Sequence, residues 1–152
     1  MKQLVRDVKI TGTGSYLPEK VVSNADLESK IDTNAEWIYA NLGIKERRIA
    51  AENQATSDLA AAAAMNAVAN AGLTVSDIDL IIVATATPDR LAPSTAAIVQ
   101  DKIKAYNAVA FDIAAVCSGF LYGMSVASQY IATSVYDNVL VIGADTFSRI
   151  TD

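Results

Sequence analysis

One thiol, Cys117, sits in the stretch Asp112-Ile-Ala-Ala-Val-Cys-Ser-Gly-Phe-Leu-Tyr122. The apolar run Val109 to Ile113 reads as a buried strand. A helical pattern begins at about Ser118, with Phe120, Met124, Ala127 and Ile131 on one stripe. A side chain at such a strand-to-helix turn projects from the end of a sheet and lies at a helix N-terminus, where unpaired N–H groups and the helix dipole favour negative charge. That is where a nucleophilic thiol belongs. Ser118 and Gly119 keep the turn small enough for a substrate carbonyl to approach. The alternative, a small buried apolar residue, is the commoner role of a lone cysteine, and residue types alone leave both open.

The chain has no histidine and no second cysteine. A His-containing or multi-Cys zinc site therefore cannot form, and no Ser-His or Cys-His pair exists within these residues. No metal or permanently bound cofactor is expected. The single cysteine excludes an internal disulfide and fits a reducing compartment; a cytoplasmic location is expected. Net charge is −5, and the one basic cluster, Lys45-Glu46-Arg47-Arg48, is interrupted by an acid, which argues against nucleic acid as a partner. The N-terminus lacks the apolar core of a signal peptide. Residues 113–136 carry no charge, but their serines, Gln129 and Thr133 make them too polar for a lipid-facing span. They suit a helix buried on most sides within protein.

Composition and pattern supply the elements that would position the thiol. With 152 residues, 52% of them hydrophobic, the chain fits one domain with a sizeable core or with apolar surface awaiting a partner. Val8 to Tyr16 reads as a strand closed by Leu17-Pro18. Its Gly12-x-Gly14 is followed by Leu17, not the glycine of a dinucleotide-binding loop, so close backbone packing is the better reading. Asn24 is placed as the N-cap of a short helix from Ala25 to Ile31. Thr33 or Asn34 would cap a second helix through Trp37 and Leu42, stopped by Gly43. Before any resemblance is considered, the sole tryptophan, Trp37, reads as core or helix packing. An alanine-rich helix starts at Thr56 or Ser57 and ends at Ala71-Gly72. Leu80 to Ala84 is a continuous apolar strand. Pro88-Asp89-Arg90 and Pro93 mark a loop, Ser94 caps a helix to about Ala105, and Val139 to Ile142 is a further strand. The strand–helix alternation predicts an α/β domain with a mostly parallel sheet and right-handed crossovers.

Several segments together resemble the β-ketoacyl-acyl-carrier-protein synthase III family. They are Gly12-Thr-Gly-Ser-Tyr-Leu-Pro-Glu-Lys-Val-Val22, Asn24-Ala-Asp-Leu-Glu28, Glu36-Trp-Ile38, Gly43-Ile-Lys-Glu-Arg-Arg-Ile49, Val83-Ala-Thr-Ala-Thr-Pro-Asp89, Ala115-Val-Cys-Ser-Gly-Phe-Leu-Tyr122 and Ser148-Arg-Ile-Thr-Asp152. The resemblance implies a thiolase-like fold, in which two similar α/β halves each have a mostly parallel mixed sheet with helices on both faces. Residues 1–152 would be the first, nucleophile-bearing half, with the C-terminal half absent. It further implies that Cys117 accepts an acyl group from acyl-CoA, which is then condensed with malonyl-acyl-carrier protein as carbon dioxide leaves. Fatty-acid initiation is the leading pathway. A synthase of polyketide or other secondary metabolism, or a non-catalytic domain that only folds and self-associates, is the alternative. Trp37 and Thr33 would lie near the coenzyme A site and Ala92 at the acyl pocket of a homodimer. The family's catalytic His and Asn belong to the second half. Two positions depart from the family pattern: Asn41 stands where an arginine commonly stacks with the tryptophan, and Ala92 stands where phenylalanine often borders the pocket.

Overall fold

The computed structural model describes residues 5–151, which form two compact units. The larger contains residues up to Tyr16 and Gln54–Asp145; the smaller contains Leu17–Asn53 and the residues from Thr146 onward.

In the smaller unit, strand β1 (Lys20–Ser23) pairs antiparallel with β2 (Glu46–Ile49). Helix α1 (Asn24–Glu28) leads from β1 towards α2 (Ala35–Leu42). The sequence reading missed this strand pair, because the charges of Glu46-Arg47-Arg48 hide a strand whose partner lies far away in the chain. It also placed the first cap one residue late. Ser23 is the N-cap, in a reciprocal capping box with Asp26, while the Asn24 side chain donates to the carbonyl of Ile44 (2.7 Å). Those bonds from Ser23 hold the Asp26 carboxyl below the usual carboxylate range. The second helix follows expectation. Asn34 caps it by accepting from the Trp37 N–H (2.7 Å), and Gly43, at φ 68°, ends it in the left-handed region.

The larger unit is built on β3 (Leu80–Ala84), β4 (Val109–Ile113) and β5 (Val139–Gly143), in the order β4-β3-β5, all parallel. Every residue of central β3 is buried, as its unbroken apolar run requires. Successive side chains point to opposite faces. Ile81 and Val83 join a core with α3 (Thr56–Asn70) and α4 (Thr95–Ile103), including Ala60, Ala64, Val68, Ala96 and Val99. Leu80 and Ile82 pack with Ala127 of α5 (Gly119–Ala132), flanked by Val126 and Tyr130. Helices therefore cover both faces, in the expected α/β arrangement. The register Leu80↔Val109 and Leu80↔Val139 brings the C-terminal ends of all three strands level.

Residues 8–16, expected as a strand, form no ladder among the described residues. They are anchored on either side by hydrogen bonds. The Arg6 guanidinium donates to the carbonyls of Ile131 (3.0 Å) and Tyr136 (2.8 Å) and pairs with Asp137, a favourable place for a cation at the end of α5. At the other end Thr13 N–H donates to Asn70 (2.9 Å), and Asn66 donates to the Ser15 carbonyl (2.9 Å). The two glycines serve close backbone packing, as the sequence suggested. A Cβ on Gly12 would lie 2.6 Å from the Ala67 carbonyl oxygen, and one on Gly14 would collide with the backbone of α3 at Ala67 and Ala63. Backbone cannot yield as a flexible side chain does. Gly14→Ala should therefore lower stability by about 1–3 kcal/mol. Chemical denaturation checks this: a lower midpoint with unchanged slope is expected.

Candidate functional site

Strand β4 ends at Ile113, and α5 begins six residues later. Between them Val116 takes φ 46°, a left-handed conformation that β-branched residues avoid. Such a residue costs on the order of 1–3 kcal/mol and persists only where its surroundings fix it. The result is a sharp elbow, a short 3-10 turn over Val116–Ser118, that leaves Cys117 exposed at the start of α5. Ser118 N–H donates to Ala115 (3.1 Å), closing the turn. No side chain caps α5, whereas Asn34 caps α2 and Ser94 caps α4. The first residue, Gly119, donates its N–H to the Val116 carbonyl of the preceding turn. The alternative of a buried apolar cysteine is overturned: the thiol is exposed, on a strained turn, at an uncapped helix start.

Two sets of contacts hold the elbow. Downstream, α5 lies close on the sheet because its inner face carries glycines. A Cβ on Gly119 would sit 3.1 Å from Ala84 Cβ, and one on Gly123 2.9 Å from Val141 Cγ1. The inner stripe is Gly119, Gly123 and Ala127, all buried, with Ala132 buried at the helix end. The sequence reading chose Phe120, Met124, Ala127 and Ile131. Only Ala127 of these is fully buried, and Phe120 is exposed. Phe120, Leu121 and Tyr122 all show apolar surface, so α5 is not buried on most sides in this chain. Upstream, Asp112 of β4 accepts from the N–H groups of Thr95 (Oδ2, 2.7 Å) and Ala96 (Oδ1, 2.7 Å) at the start of α4.

The rest of the C-terminal rim of the sheet is held by two further carboxylates. Asp145 Oδ1 accepts from the N–H groups of Ala86 (2.8 Å) and Thr87 (3.1 Å) and from the hydroxyls of Thr85 and Thr87. Asp89 accepts from Ser57 N–H (2.9 Å) and its hydroxyl (2.6 Å) at the first turn of α3. The loop from Thr85 to Ser94 is therefore tied at its beginning, middle and end. Ala92 lies on it, exposed, with Leu91 beside it. Residue types alone did not reveal this role of Asp89, Asp112 and Asp145. The available signal was an acid at or just past a strand end, facing helix starts whose N–H groups need acceptors.

Cys117 and Ala92 belong to the larger unit; Thr33 and Trp37 belong to the smaller. Thr33 is half-buried, and Trp37 is 55% exposed, so the core-packing reading of the tryptophan does not hold. Asn41 donates its amide to the Trp37 carbonyl (2.9 Å), one turn back along α2. Nearby, Lys45 Nζ lies 5.6 Å from the Tyr39 ring centroid. Among the described residues no group of acidic, His or Cys side chains is arranged to hold a metal, and no helix is long and apolar enough to cross a membrane.

Parallel strands with helices on both faces and an exposed cysteine on the β4–α5 elbow define a thiolase-like α/β unit. Known proteins agree. The family model for 3-oxoacyl-[acyl-carrier-protein] synthase III matches residues 111–152. The chain is 61% identical over 145 residues to the β-ketoacyl-[acyl-carrier-protein] synthase III of Neisseria gonorrhoeae, covering 95% of this chain and 45% of that protein. It is 58% identical over 141 residues to the synthase of Caldanaerobacter subterraneus, covering 93% and 43%. The crystal structure of 3-oxoacyl-[acyl-carrier-protein] synthase III from Aquifex aeolicus superposes with a TM-score of 0.91 at 49% identity, covering 95% of this chain and 46% of that one. The priming β-ketosynthase of the R1128 polyketide pathway superposes at 0.93 with 32% identity, covering 97% and 44%. Over nearly its whole length the chain is similar to the β-ketoacyl-acyl-carrier-protein synthase III family, and it spans about half the length of the relatives it matches.

The close seat of α5 generates a test. At Gly119 the added Cβ must push against Ala84, and the expected net effect is a loss of about 1–2 kcal/mol. A thermal melt of Gly119→Ala should show a lower midpoint.

Proposed function

We propose that this chain supplies the nucleophile of a β-ketoacyl-acyl-carrier-protein synthase III. The observation that carries the reading is the exposed Cys117 on the strained Val116 elbow, at the uncapped start of α5. The thiolate attacks the carbonyl of an acyl-CoA. A carbon–sulfur bond forms to Cys117, the bond to coenzyme A sulfur breaks, and coenzyme A leaves as its thiol after taking up a proton. Malonyl-acyl-carrier protein then loses carbon dioxide. The carbanion equivalent so formed attacks the acyl-cysteine, the bond to Cys117 sulfur breaks, and a β-ketoacyl-carrier protein and the Cys117 thiolate result. No permanently bound cofactor takes part.

Fatty-acid initiation is favoured over secondary metabolism by the relatives. Two proteins named as β-ketoacyl-acyl-carrier-protein synthase III share 58–61% identity with this chain, against 32% for the polyketide priming ketosynthase. Trp37, exposed on α2, and Thr33, just before the Asn34 cap, are the residues proposed to meet coenzyme A. With its amide bonded to the Trp37 carbonyl, Asn41 offers no planar cation for stacking on adenine. Ala92, exposed on its tied loop, is proposed to leave room in the acyl pocket where a phenylalanine would narrow it. A homodimer in the cytoplasm is the expected setting; the exposed apolar side chains Phe120, Leu121 and Tyr122 at the start of α5 support self-association.

Condensation also needs donors for the charge that develops on the malonyl thioester oxygen, and losing one such donor typically costs about 10²–10³ in rate. The family supplies a His and an Asn for this, and these 152 residues contain no histidine. Decarboxylation is therefore assigned to the length of the relatives that this chain does not span. The test is carbon dioxide release from malonyl-acyl-carrier protein, with a full-length relative as control. The 152-residue chain should release it at least a hundredfold more slowly, a gap set by those missing donors. Turnover within about tenfold of the control would show that one such donor group is not needed.

A further inference from the structure

We infer that Asp112 is a positioning residue for Cys117: its carboxylate holds the strained Val116 elbow by fastening the end of β4 to the start of α4. The reasoning begins with the strain. A β-branched residue at φ 46° relaxes towards negative φ unless the chain on both sides is fixed. On the far side, α5 is fixed by the close seat of Gly119 and Gly123 on the sheet. On the near side the ladder ends at Ile113, and the next residues, Ala114 and Ala115, have no side chains with which to fasten themselves. Asp112 is the last side chain before the elbow able to make a directional bond. It makes two, each 2.7 Å long, to the N–H groups of Thr95 and Ala96. Both bonds join a charged acceptor to helix-start donors, which makes them stronger than neutral ones. Ser94 already serves the third donor, Ala97 N–H (3.2 Å), so α4 has a cap of its own. Asp112 is more than the helix requires; what it adds is the tie to β4. The same bonds fix the loop bearing Ala92, which ends at Ser94. One carboxylate thereby sets the thiol and the proposed wall of the acyl pocket with respect to each other.

This inference rests on Cys117 being the acyl acceptor, and its test is independent of any acyl donor. The readout is the rate at which iodoacetamide alkylates Cys117 in the full chain, with circular dichroism confirming the fold of each variant. A small misplacement of a reacting group can cost up to about a hundredfold. Asp112→Asn keeps the shape but loses the charge and one acceptor, and it should slow alkylation about tenfold, well inside that range. The decisive comparison is the same substitution made in Val116→Gly. Glycine adopts positive φ without strain, so the elbow no longer needs holding. There Asp112→Asn should slow alkylation less than about threefold, a non-additive result. Thr95→Pro removes one of the two donors at a helix position that tolerates proline, and it should reproduce the Asp112→Asn effect if that variant folds poorly. Thr95→Val keeps the N–H and deletes a buried hydroxyl that has no hydrogen-bond partner among the described residues; it should alkylate at the unaltered rate. Equal slowing by Asp112→Asn with and without the Val116→Gly substitution would reduce Asp112 to a helix cap and overturn the inference, as would a folded Asp112→Asn chain that alkylates at the original rate. An intact coupling together with no acyl transfer from acyl-CoA would instead refute the proposed function alone.

Discussion

Val116 held at positive φ is the constraint on which the site depends. Without that turn the chain leaving β4 would continue along the strand direction, and Cys117 would not stand at the head of α5. The strain persists because the larger unit over-determines its two ends. The core beneath is a fully buried central strand, with α3 and α4 on one face and α5 on the other. The level C-terminal ends of the three parallel strands give the elbow its platform.

Polar groups do at the rim what apolar packing does in the core. Asp89, Asp112 and Asp145 each accept backbone N–H groups that a helix start or a loop would otherwise leave unpaired. Bonds to a charged acceptor contribute more than neutral ones, about 1.5–3 kcal/mol against about 1. They are also directional, so they fix position as well as adding stability. The loop from Thr85 to Ser94 is preorganised by this means, although much of it is exposed. The same sheet rim that carries the exposed Cys117 thus has edges fixed by carboxylates.

How much of this could be read from residues alone follows a physical division. The strand runs of β3, β4 and β5, the Asn34 and Ser94 caps and the glycine after Leu42 are local signals, and all of them correspond to elements in the structure, although β4, with Asp112 in it and Val109 exposed, is only partly buried and not the buried strand expected. Cys117 was legible because a strand signal and a helix signal meet around it. The β1–β2 pair was not, since its register joins residues far apart in sequence and its charges obscure the pattern. Residues 8–16 have a strand's alternation, but a strand also needs a neighbour to pair with, and no local pattern reports that. The buried face of α5 was misread for a related reason. Large apolar residues were assigned to the core, yet the side that packs closest carries Gly119, Gly123 and Ala127, while Phe120, Leu121 and Tyr122 are exposed. Close approach selects small residues, which carry little hydrophobic signal.

The measurement that bears most directly on the account is peptide mapping by mass spectrometry after incubation of the chain with short acyl-CoAs. One acyl group on Cys117, absent from Cys117→Ala, is the predicted result. An unmodified Cys117 under conditions that acylate a full-length relative, or an acyl group found on another residue, would contradict it.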